Sequence, residues 1–453
     1  MAFPAEVLLL ILRLVIAPRL MASTKTTFFM SHPQRPPLHS PELFPYSVAA
    51  VCKTWDFVAS MAPEFWSLVV IFLESTPLDY AKDLLLRSKN LPIEVHILEN
   101  KPLKEMDPPM SFTPERVAWR KLKMQQLVTA ITPHLHRCER LKIQVVDCQL
   151  LPRLSDIQAP APQLTRLALE ANPHGRSHIA INKPESQPVL FVPSPDLREL
   201  TLDGSDWYPW FQSLLDSGAE FRNLISLTLS NLNLSKPGQS SFDTMDELAT
   251  TLGSVTRLSV LDLRNIRAEE CVSQPDQQVM LQNLEVLYMT DCESEFLWSF
   301  FSFMDMPSLV GSSVVRCPVD AMLVPQSPDL HVEGIDALND LGGFLKDWDG
   351  VNLVIKDCPA FDNHTLRTLS GNRYRPPGHE NFCSLEIWNS FGFTLEVLQD
   401  FVQVRSEVDG GHYKFNSLFV YGAPYNLSSD DLAWFKARLS EFSWKMVYGT
   451  SNL

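Results

Sequence analysis

The sequence predicts an α/β protein. A small all-α module opens the chain, and an irregular solenoid follows, with parallel strands on a concave face and helices or loops on a convex face. Three observations carry this expectation. Copies of the form LxxLxLxxN, or a relative of it, recur from Leu164 onwards. Within each copy apolar and polar residues alternate, as in a short strand with one buried face. The copies lie from 18 residues apart (Val314 to Val332) to 34 (Leu227 to Leu261), and the longer intervals have room for a helix. No such unit buries its apolar face alone, so the units must stack. A doubly covered parallel sheet would instead show continuous apolar runs. Here Arg166, Ala168 and Glu170 interleave the leucines.

The N-terminal elements are expected in this order. Phe3-Pro4-Ala5-Glu6 starts a helix: proline in the first turn wastes no hydrogen bond, and the acid suits the positive helix end. The run Val7 to Leu12 is apolar on every face, so it must be covered on more than one side. It lacks a basic flank and carries Arg13, and it is too short to span a bilayer. Neither an export signal nor a membrane anchor is expected. Residues 18–45 form a proline-rich linker or insertion. Tyr46 to Met61 reads as one amphipathic helix with Val48, Val51, Cys52, Trp55, Val58 and Ala59 on its apolar face. Pro63-Glu64-Phe65-Trp66 opens a short element, and Ser67 to Leu73 reads as a strand.

Bulk properties narrow the function. The chain has 453 residues and a formal net charge of −15. Nucleic-acid binding needs clustered Lys and Arg, so that partner is not expected. The eight cysteines include no CxxC pair. Zinc and disulfide frameworks are therefore not expected, and free thiols suit the cytosol or nucleus. The chain has no Gly-rich phosphate loop, no HExxH and no GxSxG. Neither an enzymatic activity nor a cofactor is expected.

Three segments in order resemble a known family. Phe3-Pro4-Ala5-Glu6-Val7-Leu8-Leu9-Leu10-Ile11-Leu12 resembles the "LPxEVLxxIL" opening of the F-box. Val51-Cys52-Lys53-Thr54-Trp55-Asp56-Phe57-Val58-Ala59 resembles its "VCKxWxxxA" helix, and Pro63-Glu64-Phe65-Trp66 its closing "PxLW". The departures are Phe3 in place of leucine, almost nothing before the motif, and a longer middle segment. The arrangement is similar to F-box proteins of mushroom-forming fungi. The resemblance implies an F-box-like module over residues 1–73, docking onto a Skp-type adaptor of a cullin ubiquitin ligase. It implies adaptor contacts from Pro4, Glu6, Val7, Leu8, Ile11, Val51, Cys52 and Trp55, with Pro4 and Leu8 the foremost.

Residues 74–453 carry the rest. Asp79 to Asn90 and Glu115 to Ile131 have helical patterns, and strands are expected at Ile93 to Ile97 and around Leu141 to Ile143. His134 and His136 lie near no third ligand in sequence, so no metal site is expected. Copies follow at Leu164-Leu167-Leu169-Asn172, Leu197-Leu200-Leu202 and Leu224-Leu227-Leu229-Leu232. Further copies centre on Leu261, Leu287, Ser312, Val332, Leu353, Leu385 and Leu418. Helices are expected at Asp206 to Ser217, Phe242 to Leu252, Glu295 to Met304 and Ser429 to Phe442. The pattern resembles leucine-rich repeats, in which Asn or Cys at the ninth position satisfies turn backbone. That gives Cys292, Cys317 and Cys358 a structural role. In such repeats alternate strand positions point outwards. Arg166, Glu170, Glu199, Asp203, Ser226, Thr228, Asp262 and Arg264 then make the early face polar. Tyr288, Glu386, Trp388, Phe419 and Tyr421 make the late face aromatic. Exposed Trp and Tyr anchor protein interfaces, so Tyr288, Trp388, Phe419 and Tyr421 are the candidate contacts for a protein target. The alternative is a repeat scaffold or binding protein outside any ligase, whose N-terminal helices only cap the solenoid.

Overall fold

The computed structural model describes residues 4–22, 45–99, 114–152, 156–157, 159–171, 194–203, 221–234, 245–268, 278–319, 324–371, 381–407 and 415–446. The chain divides into two compact units, Met1–Leu197 and Arg198–Leu453.

The first unit runs α1 (Ala5–Ala22), α2 (Tyr46–Ala49), α3 (Lys53–Ser60), a 3-10 turn (Pro63–Trp66), β1 (Leu68–Phe72), α4 (Leu78–Arg87) and β2 (Ile93–Leu98). It continues with α5 (Pro114–Ile131), a second 3-10 turn (Thr132–Arg137), β3 (Cys138–Val145) and β4 (Arg166–Ala171). Its four strands pair in parallel in chain order. The expected module boundary at residue 73 falls inside this unit, because β1 pairs along its whole length with β2.

Two helices differ from expectation. α1 continues through Pro18 to Ala22, so the helix does not stop where the proline-rich segment was expected to begin. The expected single helix from Tyr46 to Met61 is two. Cys52 is extended (φ −167°, ψ 168°) and separates α2 from α3. Helices hold mainly through packing of an apolar face, and Val51, 62% exposed, has no such packing to carry the helix across the break.

Behind β1, the ring of Trp66 is buried; its Nε1 donates to Ala59 O at 2.9 Å, and the Arg87 guanidinium lies 4.6 Å from its centroid. Arg137, also buried, donates to Ser88 Oγ (2.9 Å), Leu91 O (2.7 Å) and Leu85 O (2.8 Å). It thereby satisfies carbonyls at the C-terminal end of α4, where a cation is favoured.

The second unit contains ten main strands: β5 (Glu199–Asp203), β6 (Ser226–Ser230), β8 (Val260–Arg264), β11 (Val286–Thr290), β13 (Gly311–Val315), β14 (Asp329–Glu333), β15 (Asn352–Lys356), β16 (Ser384–Trp388), β17 (Ser417–Ala423) and β18 (Glu441–Met446). Two-residue strands β7 (Asn233–Leu234), β9 (Arg267–Ala268), β10 (Val279–Met280) and β12 (Met304–Asp305) form two small parallel pairs, β7 with β9 and β10 with β12. The ten strands pair in parallel in sequence order. Their register aligns Leu200, Leu227, Leu261, Leu287, Ser312, Leu330, Leu353, Leu385, Leu418 and Phe442 in one row. The eight leucines of this row are at most 1% exposed, and each such burial contributes about 1.5–3 kcal/mol. Ser312 breaks the row and is satisfied by the Ser327 hydroxyl at 2.6 Å.

Every turn after a middle strand uses the same device. Asn231, Asn265, Asp291, Arg316, Asp357 and Asn389 have φ of 50–57°, and Gly334 and Gly422 have 67° and 79°. The next residue turns inwards: Leu232, Ile266, Cys292, Cys317, Ile335 and Cys358 are buried. The cysteine thiols then donate to backbone, Cys292 Sγ to Leu263 O at 3.5 Å and Cys358 Sγ to Lys356 O at 3.2 Å. This is the structural role expected for them. Side chains of the left-handed residues link neighbouring turns: Asn231 donates to Asp203 (2.5 Å), Asn265 to Asn231 (2.7 Å) and Asn389 to Asp357 (3.0 Å).

Between the strands lie α6 (Met245–Ser254), α7 (Ser294–Phe303), α8 (Leu341–Leu345), α9 (Asn363–Ser370), α10 (Leu395–Glu407) and α11 (Ser429–Lys436). α6 and α7 match expectation. The helix expected over Ser429 to Phe442 ends at Lys436, and Phe442 instead joins β18, where its ring stacks on Phe435 at 4.8 Å. α8, α9 and α10 were not anticipated. The helix expected at Asp206 to Ser217, and Asn172, lie outside the described residues. Trp348, Phe382, Phe401 and Phe415 fill the space behind β15 to β17, with centroids 5.1–6.1 Å apart.

Candidate functional site

Two surfaces carry the residues singled out in the sequence, one in each unit. In the first, α1 is apolar on two sides but covered on only one. Leu8 and Leu12 are buried at 7% and 6% exposure. Val7, Leu10, Ile11 and Leu14 are exposed at 40%, 58%, 43% and 67%. Their i, i+3, i+4, i+7 spacing makes one continuous stripe. Pro4 and Glu6 are also exposed. Arg13 holds the helix to the turn before β1 by donating to Glu64 Oε1 (2.7 Å).

Leu8 therefore packs inwards, not on the open stripe where its pairing with Pro4 had placed it. Leu10 and Leu14 stand on that stripe and were missed. Their helical spacing from Val7 and Ile11 was legible, but the apolar neighbours Leu8, Leu9 and Leu12 gave no sign of which side was covered. Val51 and Cys52 are exposed at the break before α3, and Trp55 is half-buried. Phe57 and Met61, 65% and 54% exposed, add apolar surface on α3 that the helical pattern had not assigned outwards.

The second surface is the outward face of the ten-stranded sheet. Alternation places Asp262, Tyr288, Ser313, His331, Val354, Glu386 and Phe419 in one row. The adjacent row reads Arg264, Thr290, Val315, Glu333, Lys356, Trp388, Tyr421 and Lys445. Asp203 was expected to point outwards but is 3% exposed, because Asn231 draws it into the turn ladder.

The candidate aromatics divide. Trp388 and Tyr421 stack, with centroids 4.0 Å apart and planes at 22°. The Trp388 Nε1 donates to Glu386 Oε1 at 2.6 Å, which fixes the ring over the sheet while it stays 36% exposed. Lys445 Nζ lies 5.1 Å from the Tyr421 centroid. Burial, then the Glu386 charge, raises the Tyr421 phenol above its ordinary pKa, so it stays neutral. Phe419 is half-buried beside Glu386 in the next row. Tyr288 is half-buried near Asp262, where burial and then that acid raise its pKa. Three strands separate it from β16; four steps at the usual strand spacing are about 19 Å. Tyr288 is therefore not part of the Trp388 cluster.

Charges on this face are largely paired. Lys356 bridges Glu333 at 2.8 Å, and Arg264 bridges Asp262 at 2.5 Å. Burial lowers the His331 pKa, with Glu333 opposing and Lys356 assisting, so the imidazole is held towards its neutral form. Among the described residues no three His, Cys, Asp or Glu side chains are grouped to hold a metal ion, and no helix is long and apolar enough to cross a membrane. No family model matches the chain, and no curated protein matches it either.

Proposed function

We propose that this protein is a substrate-recognition adaptor of a cullin-type ubiquitin ligase, with an F-box-like N-terminal module and leucine-rich-repeat-like units behind it. On this reading the protein is not itself an enzyme. The stripe Val7, Leu10, Ile11 and Leu14 docks on a Skp-type adaptor, and the outward sheet face of the repeats holds a protein target. Simultaneous binding raises the target's effective concentration near the ubiquitin donor. The site of action is the cytoplasm or nucleus.

The observation that carries this reading is the exposed stripe on α1. Four large apolar side chains at contact spacing are costly to leave in water, and such patches mark interaction sites. Its test is co-expression with a Skp-type adaptor. The wild-type chain co-purifies with the adaptor, and Leu10→Asp with Leu14→Asp releases it without lowering the melting temperature. If the unmodified chain ignores the adaptor, the reading is wrong.

One observation favours a second reading, in which the N-terminal helices cap a repeat scaffold. Trp66 and Phe65 are buried against the start of the first sheet, and Arg87 of α4 covers the Trp66 ring. Terminal repeats need such caps. A cap alone leaves the exposed stripe of α1 without a role.

A further inference from the structure

We propose that β18, the last strand of the sheet, pairs edge to edge with β18 of a second copy of this chain. The two strands run antiparallel about a two-fold axis at Ser443, and the protein is a homodimer through that contact. The inference goes beyond the ligase reading and does not rest on it.

Three observations combine. The first is an unfinished layer. Among the described strands, β18 ends the sheet and pairs with β17. Phe442 and Trp444 stand in register with Leu418 and Val420, which are both 0% exposed. Yet none of the six residues of β18 is buried. Repeat units bury their apolar faces by stacking on a neighbour, and β18 lacks that cover on its far side.

The second is the direction of the backbone. The Glu441 N–H donates to Asn416 O at 3.0 Å, on the β17 side. Successive residues of a strand turn their backbone groups to opposite sides, so Phe442 and Trp444 turn theirs to the outer edge. An edge of this kind is a template for another strand. Two antiparallel copies centred on Ser443 set Phe442 of each opposite Trp444 of the other. Such a pair exchanges both of its N–H···O bonds. A two-fold axis makes the contact self-complementary and keeps these rings on the inward side of both sheets, where they cover one another.

The third is charge. Glu441 and Lys445 are both exposed. Glu441 rests by Ser417 Oγ at 3.4 Å, and Lys445 Nζ lies 5.1 Å from the Tyr421 centroid, contacts that an ion pair replaces. A lone lysine on an edge strand blunts pairing. Here the acid lies two residues before Ser443 and the base two residues after it. The register that pairs Phe442 with Trp444 therefore sets Glu441 opposite Lys445 on both sides of the axis. These are non-hydrogen-bonded positions, where facing side chains approach most closely. Sliding the strands by two residues keeps the backbone pairing but sets Lys445 or Glu441 opposite Ser443. Charge thus selects both the register and the occupant, a second copy.

The test is sedimentation equilibrium of the full-length protein at physiological ionic strength, where repulsion between two chains of net charge −15 is screened beyond about 8 Å. The wild type sediments at twice the chain mass. Glu441→Lys alone and Lys445→Glu alone each set like charges opposite one another and weaken dimerisation about tenfold or more. Mixing these two variants restores the dimer, because each meets its complement, and the double variant Glu441→Lys, Lys445→Glu restores it too. Leu10→Asp with Leu14→Asp leaves the dimer intact. A wild-type chain that stays monomeric at about 100 μM overturns the proposal, as would result if the chain's own residues 447–453 occupied the edge. A dimer insensitive to both charge variants, or one lost with Leu10 and Leu14, places the contact elsewhere and overturns it as well. Circular dichroism melts of each variant show that the fold is retained.

Discussion

Gly422 shows how tightly single residues set the turns. Its φ is 79°, and a Cβ there would lie 2.0 Å from Asn389 Oδ1. Gly422→Ala therefore combines left-handed strain with a clash against the Asn389–Asp357 link. It should cost about 1–3 kcal/mol, read as a lowered melting temperature. Titration is set residue by residue as well. Burial opposes ionisation of Glu74, but hydrogen bonds and charges from Arg120 and Arg116 outweigh it and hold the pKa below the usual value. Glu94 is likewise depressed: burial opposes, while His96, Arg140 and Arg166 prevail. A depressed carboxylate contributes stability above its unfolded pKa and loses it as pH falls through the folded one. The melting temperature should therefore drop as pH is lowered below about 4.5, and Glu74→Gln with Glu94→Gln should flatten that limb. Glu99 has the opposite sign. Burial raises it despite Val146 N–H and Arg120, so its contribution belongs to low pH and is lost as pH rises.

At the scale of elements, α1 separates packing from docking. Leu8→Ala opens space beneath the helix and should destabilise the first unit by about 2 kcal/mol, seen as an earlier thermal transition. Leu10→Asp changes a side chain that is 58% exposed and should leave that transition nearly unmoved. Its effect is on adaptor co-purification alone. If both substitutions behave alike, the assignment of the two faces is wrong. The helical pattern from Tyr46 to Met61 was legible, but its break was not. Val48, Val51 and Trp55 keep helical spacing across the extended residue Cys52, where Val51 lacks the packing that would hold a continuous helix. The strands were far more legible. Alternation in Arg166–Glu170 or Ser384–Trp388 names the buried side directly, because a strand has only two faces.

For the whole molecule, the two surfaces lie in different units and should fail independently. With a known target in hand, Leu10→Asp with Leu14→Asp should keep target capture and lose the adaptor. Trp388→Ala with Tyr421→Ala should do the reverse, and pull-downs with each partner read both. Leucines at recurring spacing, alternating strands and the ninth-position residues Cys292, Cys317 and Cys358 determined the parallel strand architecture from sequence alone. Each of those signals is local and repeats, so it survives without tertiary context. Tertiary packing decided which side of α1 is covered, that Asp203 faces the turn ladder, that Tyr288 stands apart from Trp388, and that Lys445 sits by the Tyr421 ring. Those outcomes depend on which residues from distant copies meet across the sheet. Strand register and side-chain lean set that meeting, and no single copy contains it.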